Sequence, residues 1–554
     1  MRHIVLLSGP LCSGRSKLAS RLRKRIGASI FKTTERIDKL QKKRTPGRIE
    51  LQNIGKKLDK QTRGKWIYDE VCKFEKNVRK DKIIVVDSVY NEKQVRPFRQ
   101  AADFRVSHIH LWAPDNELDE RYKRRLPRKK DGGIKFKRSK ADFLKGTKNT
   151  EFLKNDADIR VNTFQTDEED TFIRSIAGLG LFPSTGYKCV DVLIGGQFGS
   201  EGKGNIAAYL AKEYDYLVRV GGPNAGHTVF GAEGKYTYHQ LPSGCRDVDS
   251  KILIGPGAVI DLEVILREIN ECKITSDRLY IDPQAMIIDA DDKDSEAELA
   301  RTMGSTARGV GAATSRKIMG RTPGAVKLAR DIVQLREYVG VGPRYRGKTV
   351  DRLQEAYSQG NKILLEGTQG AGLSLHHGQY PYVTSRETNV SGCLAEAGIP
   401  PFRVRKVILV IRSFPIRVAD PGNGFTSGIL KIPTTFEAIA TNAGLNPIEV
   451  NNAEKTSTTG RDRRVGHFDW ELFRLACQLN EPTDIALTFV DYFSADNQKA
   501  RRFDQLKVQT QGIIEEIQRV ANAPVSLINT TFPRAKRPLD RRTLIDRRTW
   551  GKIQ

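Results

Sequence analysis

The sequence predicts an α/β protein with two parallel-sheet domains, and three observations support this prediction. An apolar, strand-like run followed by a glycine-rich turn and a helix-like pattern occurs at the N-terminus as HIVLLSGPLCSGRSKLASRL. The same arrangement returns from Cys189 as CVDVLIGGQFGSEGKGNIAAYLA. The length of 554 residues also exceeds that of one typical domain. Each repeat therefore predicts the first strand-loop-helix unit of its own domain.

The segment between the two units predicts the domain boundary. Residues 129–155 are rich in Lys, Gly and Asp, and residues 182–186 (FPSTG) are turn-forming. We therefore expect a first domain over residues 1–185 and a second over residues 186–554.

Further elements of the second domain follow from apolar periodicity. Residues 251–269 (KILIGPGAVIDLEVILREI) predict a strand, a tight turn and a helix with Asp261 as its N-cap. More strands are expected at residues 363–365, 407–411 and 485–490. Strands that alternate with helical patterns are typical of a mostly parallel sheet.

The composition excludes several classes of protein. Hydrophobic residues make up 38% of the chain, and no apolar run approaches the roughly 18 residues of a membrane span. The run at residues 4–7 is too short for a signal-peptide core, so we expect a cytoplasmic protein with no membrane partner. The seven cysteines are never spaced as CxxC, which predicts buried free thiols rather than a zinc site or a disulfide framework.

The formal net charge of +27 allows two interpretations. One is a nucleic-acid surface, and the other is a set of sites for polyanionic small molecules on a basic shell. The basic residues are dispersed, and no aromatic RNA-binding motif or zinc-finger spacing accompanies them. Nonspecific nucleic-acid binding stays open.

The second glycine-rich loop, Gly195 to Gly204 (GGQFGSEGKG), has the features of a phosphate cradle. Its glycines let backbone N–H groups approach phosphate oxygens, a helix N-terminus follows, and Lys203 supplies charge. Four further motifs follow it, and they are RVGGPNAGHT (219–228), STARGVG (305–311), LLEGTQGAGLSLHHGQYPYVTS (364–385) and STTGRDRRVG (457–466). In this order the five motifs resemble those of the adenylosuccinate synthetase family.

The resemblance implies a larger α/β domain around a central, mostly parallel sheet. It also implies a Mg²⁺-dependent ligase that joins L-aspartate to C6 of a purine nucleoside monophosphate. A nucleoside triphosphate first turns the 6-oxygen into a phosphate ester, because that oxygen is a poor leaving group, and the amine of aspartate then displaces phosphate. Small-molecule substrates and a homodimer are the partners that the resemblance implies.

Matched positions carry the family's roles onto this chain. The catalytic positions are Ser200, Lys203 and His227, where the histidine donates to the 6-oxygen. The purine-nucleotide positions are Asn224, Thr306, Gln369, Thr384 and Arg321; the last lies one residue beyond the place of the partner-supplied arginine, which holds Gly320. The triphosphate positions are Gly199, Glu201, Gly202, Lys203, Gly204, Thr228 and Asp491, and the metal positions are Ser200 and the carbonyl of Gly226. The aspartate positions are Thr458, Thr459, Gly460, Arg461, Arg463 and Arg417.

Two departures from the family's pattern bear on the substrates. Ser200 stands where the family has a catalytic aspartate that removes the purine N1 proton, and a hydroxyl is a far weaker base. Phe489 stands where the family's guanine-reading segment has lysine, although Asp491 remains. Both changes resemble the PurZ-type 2-aminoadenylosuccinate synthetases, which accept dGMP and use ATP or dATP in preference to GTP. An enzyme for inosine monophosphate and GTP, and a nucleotide-binding protein without turnover, are the alternatives.

The first glycine-rich loop, Gly9 to Ser16 (GPLCSGRS), fits a P-loop after a strand, and Gly9, Gly14, Arg15 and Ser16 are its expected phosphate-binding residues. Arg15 replaces the usual lysine, which favours phosphate binding over efficient transfer. Residues 48–67 and 82–99 resemble segments of deoxynucleoside monophosphate kinases, with Tyr90 where an arginine is usual. A P-loop NTPase-like kinase domain and a degenerate domain with a regulatory or dimerising role both stay open. Arg124 and Arg125 are either a lid over phosphates or part of a solvated helix face.

Overall fold

The chain forms two compact units, Met1–Phe182 and Pro183–Gln554, in the computed structural model. The structure describes residues 2–40, 48–79, 83–125, 152–181, 187–231, 234–339, 348–422, 424–455, 462–531 and 543–550. The predicted boundary between residues 185 and 186 lies outside these ranges.

The N-terminal unit contains short strands and seven described helices. Its strands are β1 (Arg2–Ser8), β2 (Ser29–Phe31), β3 (Ile84–Val86), β4 (Phe104–Trp112) and β5 (Ile159–Asn162). Its helices are α1 (Arg15–Ile26), α2 (Thr33–Leu40), α3 (Arg48–Thr62), α4 (Trp66–Glu75), α5 (Glu92–Gln100), α6 (Asp115–Arg125) and α7 (Glu168–Gly178).

These strands make one parallel sheet in the order β2-β3-β1-β4-β5. Ile4 to Leu7 of the central strand β1 are fully buried, because helices cover both faces of the sheet. Leu18 and Leu22 of α1 pack on one face with Phe172 of α7, while Trp66 of α4 packs on the other. The parallel α/β fold predicted for this domain is confirmed.

The second unit is larger and contains more elements. Its strands are β6 (Val190–Gly195), β7 (Tyr216–Arg219), β8 (His227–Gly231), β9 (Gly234–Tyr238), β10 (Lys251–Ile254), β11 (Val259–Ile260), β12 (Leu279–Ile281), β13 (Met286–Ile287), β14 (Ile363–Gly370), β15 (Val404–Arg412), β16 (Ile416–Val418), β17 (Pro433–Thr434), β18 (Arg463–Gly466), β19 (Asp484–Thr488), β20 (Val525–Asn529) and β21 (Leu544–Asp546). Its helices are α8 (Lys203–Ala211), α9 (Leu262–Glu271), α10 (Ala290–Ser295), α11 (Ala297–Met303), α12 (Val310–Met319), α13 (Arg336–Val339), α14 (Thr349–Ser358), α15 (Val390–Ala397), α16 (Phe436–Ala443), α17 (Pro447–Ala453), α18 (Trp470–Asn480) and α19 (Val508–Ala521).

The central sheet of this unit runs in the order β12-β10-β7-β14-β6-β15-β19-β20-β21. Every neighbouring pair is parallel except β20 with β21. The carboxyl ends of β7, β14, β6, β15 and β19 therefore lie side by side at one edge. In open parallel sheets that edge is where ligands bind.

Local predictions for this unit are also confirmed. Asp261 caps α9, accepting from the backbone N–H of Val264 at 3.3 Å. Ile265 and Ile269 of that helix are buried, and so is Glu268, whose carboxylate accepts three backbone N–H groups of residues 239–241. All seven cysteines are free thiols, six of them buried. No helix in the described ranges is long and apolar enough to cross a membrane.

Candidate active site

The loop between β6 and α8 is closed by one buried ion pair. The carboxylate of Glu201 accepts the backbone N–H groups of Gln197 at 3.0 Å and Gly199 at 2.7 Å. Its other oxygen lies 2.7 Å from Nζ of Lys203, which also donates to the carbonyl of Gly199 at 3.1 Å. Both charged side chains are almost completely buried. The loop therefore holds its cation in place through its own acidic residue.

Glycine is required at several points of this loop. Gly199 and Gly202 have φ values of 96° and 84°, which side-chain-bearing residues rarely adopt. A Cβ on Gly195 would lie 2.8 Å from Nζ of Lys203, and one on Gly204 would lie 2.8 Å from Cβ of His227. The close approach at Gly204 brings the start of α8 directly against the predicted catalytic histidine.

His227 begins β8 and forms a short contact with a buried carboxylate. Its Nδ1 lies 2.6 Å from Oε1 of Glu366, in β14, which also accepts from the hydroxyl of Ser243 at 2.6 Å. Arg219 at the end of β7 places Nη1 3.0 Å from the same oxygen. The carboxylate fixes Nδ1–H as a donor, so Nε2 is the nitrogen that faces the site. It is buried and has no hydrogen-bond partner among the described residues.

The charges around His227 set its protonation state. Burial, and then the positive charge of Arg219, lower the pKa of His227 to about 4. Burial opposes ionisation of Glu366, but Arg219 and His227 outweigh it and lower the pKa of that carboxyl to about 2. At neutral pH the pair is an imidazole and a carboxylate. A buried ring nitrogen without a partner is rare in a folded protein and points to a ligand.

The purine-nucleotide residues expected from the motifs fall on neighbouring elements. Gln369 lies near the end of β14, where its Cα is 3.2 Å from the position of a Cβ on Gly199, so it abuts the loop. Asn224, in the turn between β7 and β8, has a buried Oδ1 without a hydrogen-bond partner in the described part of the chain. Thr306 precedes α12 and Thr384 follows β14, and both are half-buried. Arg321 is exposed beyond the end of α12.

The two loops that carry Thr306 and Thr384 are fixed by backbone contacts. The carboxylate of Glu296 holds the first by accepting the N–H groups of Gly309 at 2.8 Å and Gly311 at 2.6 Å. The second is held by the backbone N–H of Thr384, which donates to the carbonyl of Leu373 at 2.9 Å. The structure therefore presents both threonines on fixed backbone.

Thr228, one of the expected triphosphate positions, lies in β8 directly after His227. Its hydroxyl shares a hydrogen bond of 2.9 Å with the hydroxyl of Thr237 on the neighbouring strand β9. Its carbonyl accepts from the side-chain amide of Asn205, in the first turn of α8, at 3.1 Å. Thr228 thus lies beside the start of the helix that follows the phosphate loop.

The segment expected to read the donor base lies at the end of β19. Phe489 has a left-handed backbone (φ 59°), and its ring faces the guanidinium of Arg412, whose Cζ is 4.0 Å from the ring centroid. Nη1 of Arg412 donates to the carbonyl of Ser200 at 3.3 Å. Asp491 is buried in the turn that follows and accepts from Gln498 at 3.3 Å. Arg412 therefore connects the base-reading segment with the phosphate loop.

Glu454 joins this group to the predicted aspartate site. Its carboxylate accepts from Nη2 of Arg412 at 2.7 Å, from Nη1 of Arg463 at 3.1 Å and from the hydroxyl of Tyr492 at 2.7 Å. The arginine charges, against the opposing effect of burial, lower the pKa of Glu454. Arg463 is thus placed by an acidic residue just before the predicted aspartate loop. Thr458, Thr459, Gly460 and Arg461 of that loop lie outside the described residues.

Arg417 is buried and half committed to the backbone. Its Nε donates to the carbonyl of Ser427 at 3.0 Å, and Nη2 donates to the same carbonyl and to that of Tyr382 at 3.2 Å. Its guanidinium also stacks over the ring of Phe198. Burial, and then the charge of Arg464, lower the pKa of Arg417 to about 10. Nη1 is buried and has no hydrogen-bond partner within the described ranges, which leaves it for a ligand.

Four residues of this site were not predicted. Glu366 and Arg219 lie inside the motifs LLEGTQG and RVGGPNAGHT, and Arg412 begins the segment RSFPIRVA, so a closer inspection of buried charge in those motifs would have found them. Glu454 lies in no motif, and only its contacts identify it.

The donor set at the phosphate loop fits Mg²⁺ only as a complex with phosphate oxygens. The carboxylate of Glu201 is occupied by Lys203 and two backbone N–H groups. The described residues contain no cluster of three or more His, Cys, Asp or Glu that could hold a metal ion. A hydroxyl at Ser200 and the carbonyl of Gly226 are suited to complete the shell of an ion that the triphosphate brings with it.

The fold and the site together define a nucleotide-binding α/β enzyme. Residues 192–334 and 324–498 match the sequence model of the family "Adenylosuccinate synthetase". The chain therefore belongs to the adenylosuccinate synthetase family, whose members are carbon–nitrogen ligases. The resemblance and the fold class expected from the motifs are confirmed.

Relatives and solved structures agree with this assignment. The adenylosuccinate synthetase of Pyrococcus sp. is 36% identical over 363 residues, which are 64% of this chain and 99% of that protein. That of Methanocaldococcus jannaschii is 35% identical over 347 residues, covering 61% of this chain and 93% of the relative.

Two solved structures share the fold of the second unit. The cyanophage S-2L succinoaminodeoxyadenylate synthetase (PurZ), bound to dGMP and dATP as an energy donor, is 27% identical with a TM-score of 0.52, covering 66% of this chain and 96% of that one. The fully ligated adenylosuccinate synthetase from Plasmodium falciparum is 22% identical with a TM-score of 0.52, covering 65% and 100%.

Proposed function

We propose that the chain joins L-aspartate to C6 of dGMP, with ATP or dATP as the phosphate donor, to give N6-succino-2-amino-2'-deoxyadenylate. The observation that carries this proposal is Ser200, a hydroxyl in the closed phosphate loop where the family has a catalytic carboxylate. The cyanophage relative, whose structure holds dGMP and dATP, supports it.

The first step transfers the terminal phosphoryl group of the triphosphate to the purine 6-oxygen. The buried Lys203 stabilises charge on the phosphates from its fixed place against Glu201. Mg²⁺, held with Ser200 and the carbonyl of Gly226, would neutralise further phosphate charge. His227 faces the 6-oxygen through Nε2, the nitrogen that Glu366 leaves open.

His227 is neutral in the free protein, so its role requires a proton. Negative charge that develops on the 6-oxygen favours the imidazolium, because Glu366 already accepts the Nδ1 proton and stabilises a positive ring. Nε2–H then donates to that oxygen. Glu366 acts here as a positioning residue, since it orients the ring without reaching the substrate.

The second step is displacement of phosphate by the amine of aspartate. The open Nη1 of Arg417 and the guanidinium of Arg463 are suited to the carboxylates of that substrate. Glu454 connects Arg463 to Arg412, and thereby to the carbonyl of Ser200. The network makes the aspartate loop and the phosphate loop respond to each other's occupancy.

The serine suits a guanine substrate better than hypoxanthine. Guanine brings a 2-amino group beside N1, which changes the space and the hydrogen bonding at that edge of the ring. A carboxylate that reads N1–H in hypoxanthine would have to share this space, whereas the smaller hydroxyl of Ser200 leaves room. The purine itself would rest near Asn224 and Gln369, as the motif positions imply.

The environment of Phe489 supports an adenine donor. One face of its ring is covered by the guanidinium of Arg412, so this position offers an apolar, cation-backed surface. A lysine there would face Arg412 with a like charge. The retained Asp491 is engaged by Gln498, which is consistent with a weaker role in reading guanine.

A second candidate is an adenylosuccinate synthetase that uses inosine monophosphate and GTP. The specific observation in its favour is the name shared by relatives that are 35–36% identical to this chain. A protein that binds nucleotides without turnover is the third candidate. A homodimer belongs to the proposal, in which the exposed Arg321 reaches the partner's nucleotide site, as does a cytoplasmic location; the basic surface leaves nucleic-acid binding as a separate question.

The experiment crosses dGMP, GMP and IMP against ATP, dATP and GTP, with aspartate and Mg²⁺ present, and identifies the products by chromatography. We expect aspartate-dependent product and phosphate from dGMP with ATP or dATP. Turnover of IMP with GTP, with none of dGMP, would contradict the proposal. Nucleotide binding without any phosphate release would favour the third candidate.

Ser200→Asp and Ser200→Ala separate the roles of the serine. The aspartate variant should lose turnover of dGMP by about 100-fold, because a carboxylate crowds the 2-amino edge and alters the proton balance. The alanine variant keeps the space and should retain more dGMP turnover than the aspartate variant. A Ser200→Asp enzyme that uses dGMP as well as the parent would count against the assigned role.

A further inference from the structure

We propose that the N-terminal unit holds a second nucleotide site, in which the loop Gly9–Ser16 binds the phosphate chain of a nucleoside triphosphate. This site is separate from the ligase site and does not depend on which purine the ligase accepts. Four features of the described residues support it.

The first feature is a strained, tightly wrapped loop. Gly9 and Gly14 have φ values of 142° and 104°, and Cys12 has a positive φ of 67°. A Cβ on Gly9 would overlap the carbonyl oxygen of Leu111. The backbone therefore accepts strain at three positions over one short segment, which is typical of ligand-binding loops.

The second feature is the uncompensated start of α1. Gly14 caps the helix without a side-chain hydrogen bond, and the first turn contains no acidic residue. The N–H groups of that turn carry partial positive charge and point out of the helix. A helix start of this kind attracts an anion, although it does not define a site by itself.

The third feature is a buried donor without a partner. Ser13 is 1% exposed, and its hydroxyl has no hydrogen-bond partner among the described residues. The hydroxyl lies 2.7 Å from the position of a Cβ on Gly9, so it points across the inside of the loop. An unpaired buried hydroxyl is costly unless a ligand completes it.

The fourth feature is a permanent cation without a counter-ion. Arg15 follows the loop directly, forms no ion pair within the described ranges, and has a buried Nη1 without a hydrogen-bond partner. Its guanidinium lies over the ring of Tyr90, 5.1 Å from the centroid. Asp87, at the end of β3, accepts instead from the backbone N–H of Thr33 at 3.0 Å.

These groups are all donors, and they converge on one loop. A ligand that satisfies them must present several acceptor oxygens and negative charge, which a phosphate chain does. A single hydroxyl, an amide or a carboxylate would leave Ser13 or Arg15 unpaired. The spacing from Gly9 to Ser16 matches a cradle for adjacent phosphates in a triphosphate.

The test counts nucleotide sites on the full chain by equilibrium dialysis with a non-hydrolysable ATP analogue and Mg²⁺. We expect two sites in the parent and one in Arg15→Ala, because loss of the guanidinium should weaken the second site by about 10- to 100-fold. Arg15→Lys keeps the charge and should keep both sites. Arg23→Ala, exposed on the same helix, is the matched control and should also keep both.

Two further measurements keep the result unambiguous. Ligase activity of Arg15→Ala, measured in the same preparation, reports that the chain is folded and should match the parent. In Lys203→Ala, which weakens the ligase site, the remaining site should disappear when Arg15→Ala is added. A parent chain with one site, or an Arg15→Ala chain with two, would overturn the proposal. Failure of the dGMP assay would leave this count unaffected.

Discussion

The two glycine-rich loops share a backbone plan but treat their cations differently. In each, a buried parallel strand leads into a loop, and a left-handed glycine, Gly14 or Gly202, begins the helix without a side-chain cap. Lys203 is buried against Glu201, which also closes the loop through two backbone N–H groups. Arg15 has no acidic partner in the described residues and stacks on Tyr90 instead.

A buried histidine below each loop differs in the same way. The hydroxyl of Ser8, just before the first loop, contacts Nδ1 of His110 at 2.8 Å and Nε2 of His108 at 2.7 Å. His227 contacts Glu366 and leaves Nε2 open to the site. The comparison teaches that similar strand-loop-helix units can be assembled either for chemistry, with charges fixed in advance, or for binding, with donors left for the ligand.

The largest effect is expected at the cation of the ligase loop. Lys203→Met should lower aspartate-dependent phosphate release by about 1,000-fold, because a fixed charge beside the phosphates is lost. Arg15→Met should change the same rate by less than about twofold. A Lys203→Met enzyme with more than a tenth of the parent rate would remove the distinction between the loops.

Loss of the acidic partner should appear in stability. Glu201→Gln leaves Lys203 buried without its counter-charge and should lower the free energy of unfolding by about 3 kcal/mol. Glu168→Gln in the N-terminal unit is the control, because its partner Lys17 is exposed and such pairs contribute less than about 1 kcal/mol. Urea unfolding followed by circular dichroism measures both, and equal losses would contradict the contrast.

The carboxylate behind His227 should affect turnover more than binding. Glu366→Gln keeps the shape of the side chain but cannot stabilise an imidazolium, so kcat should fall by about 10- to 100-fold with a smaller change in KM. The acidic limb of the pH profile should move as well. Ser243→Ala, which removes one hydrogen bond to Glu366, is the milder control. A loss confined to KM would show that Glu366 serves binding instead.

Acid should destabilise the ligase unit through His227. Its pKa is about 4 in the folded chain, and about 6.5 when unfolded. Between these values the unfolded chain binds more protons, so the free energy of unfolding falls as the pH falls from about 6.5 to 4. Glu366, with a folded pKa of about 2, adds a loss below about pH 4.5.

His227→Gln tests this pH dependence. The parent should lose about 2 kcal/mol more than the variant between pH 7 and pH 5, measured by urea unfolding at both values. His110→Gln, which removes the histidine below the other loop, is informative because burial, and then the charge of His108, lower the pKa of His110 to about 3. Its effect should fall in the same pH range but on the N-terminal unit.

Much of the fold could be predicted because its signals are local. Glycine-rich turns after apolar runs predicted β1 with α1 and β6 with α8, and Asp261 marked the start of α9. The charged centre of the site could not be predicted in this way. Glu366 meets His227 only because β14 lies between β7 and β6 in the sheet.

The same reason explains the second missed group. Glu454 meets Arg412 because the chain after α17 returns to the carboxyl end of β15, and no local pattern encodes that return. The motifs named the loops that approach the ligand, while the acidic residues that hold their cations come from elsewhere in the chain. The predicted site residues from Thr458 to Arg461 stay predictions, because they lie outside the described residues.

The most direct test of the central claim is a competition between substrates in one reaction. Equal concentrations of dGMP and IMP are mixed with aspartate, ATP and Mg²⁺, and the products are separated by mass. The account predicts that the succino derivative of 2-amino-2'-deoxyadenylate dominates. Adenylosuccinate as the main product would contradict it.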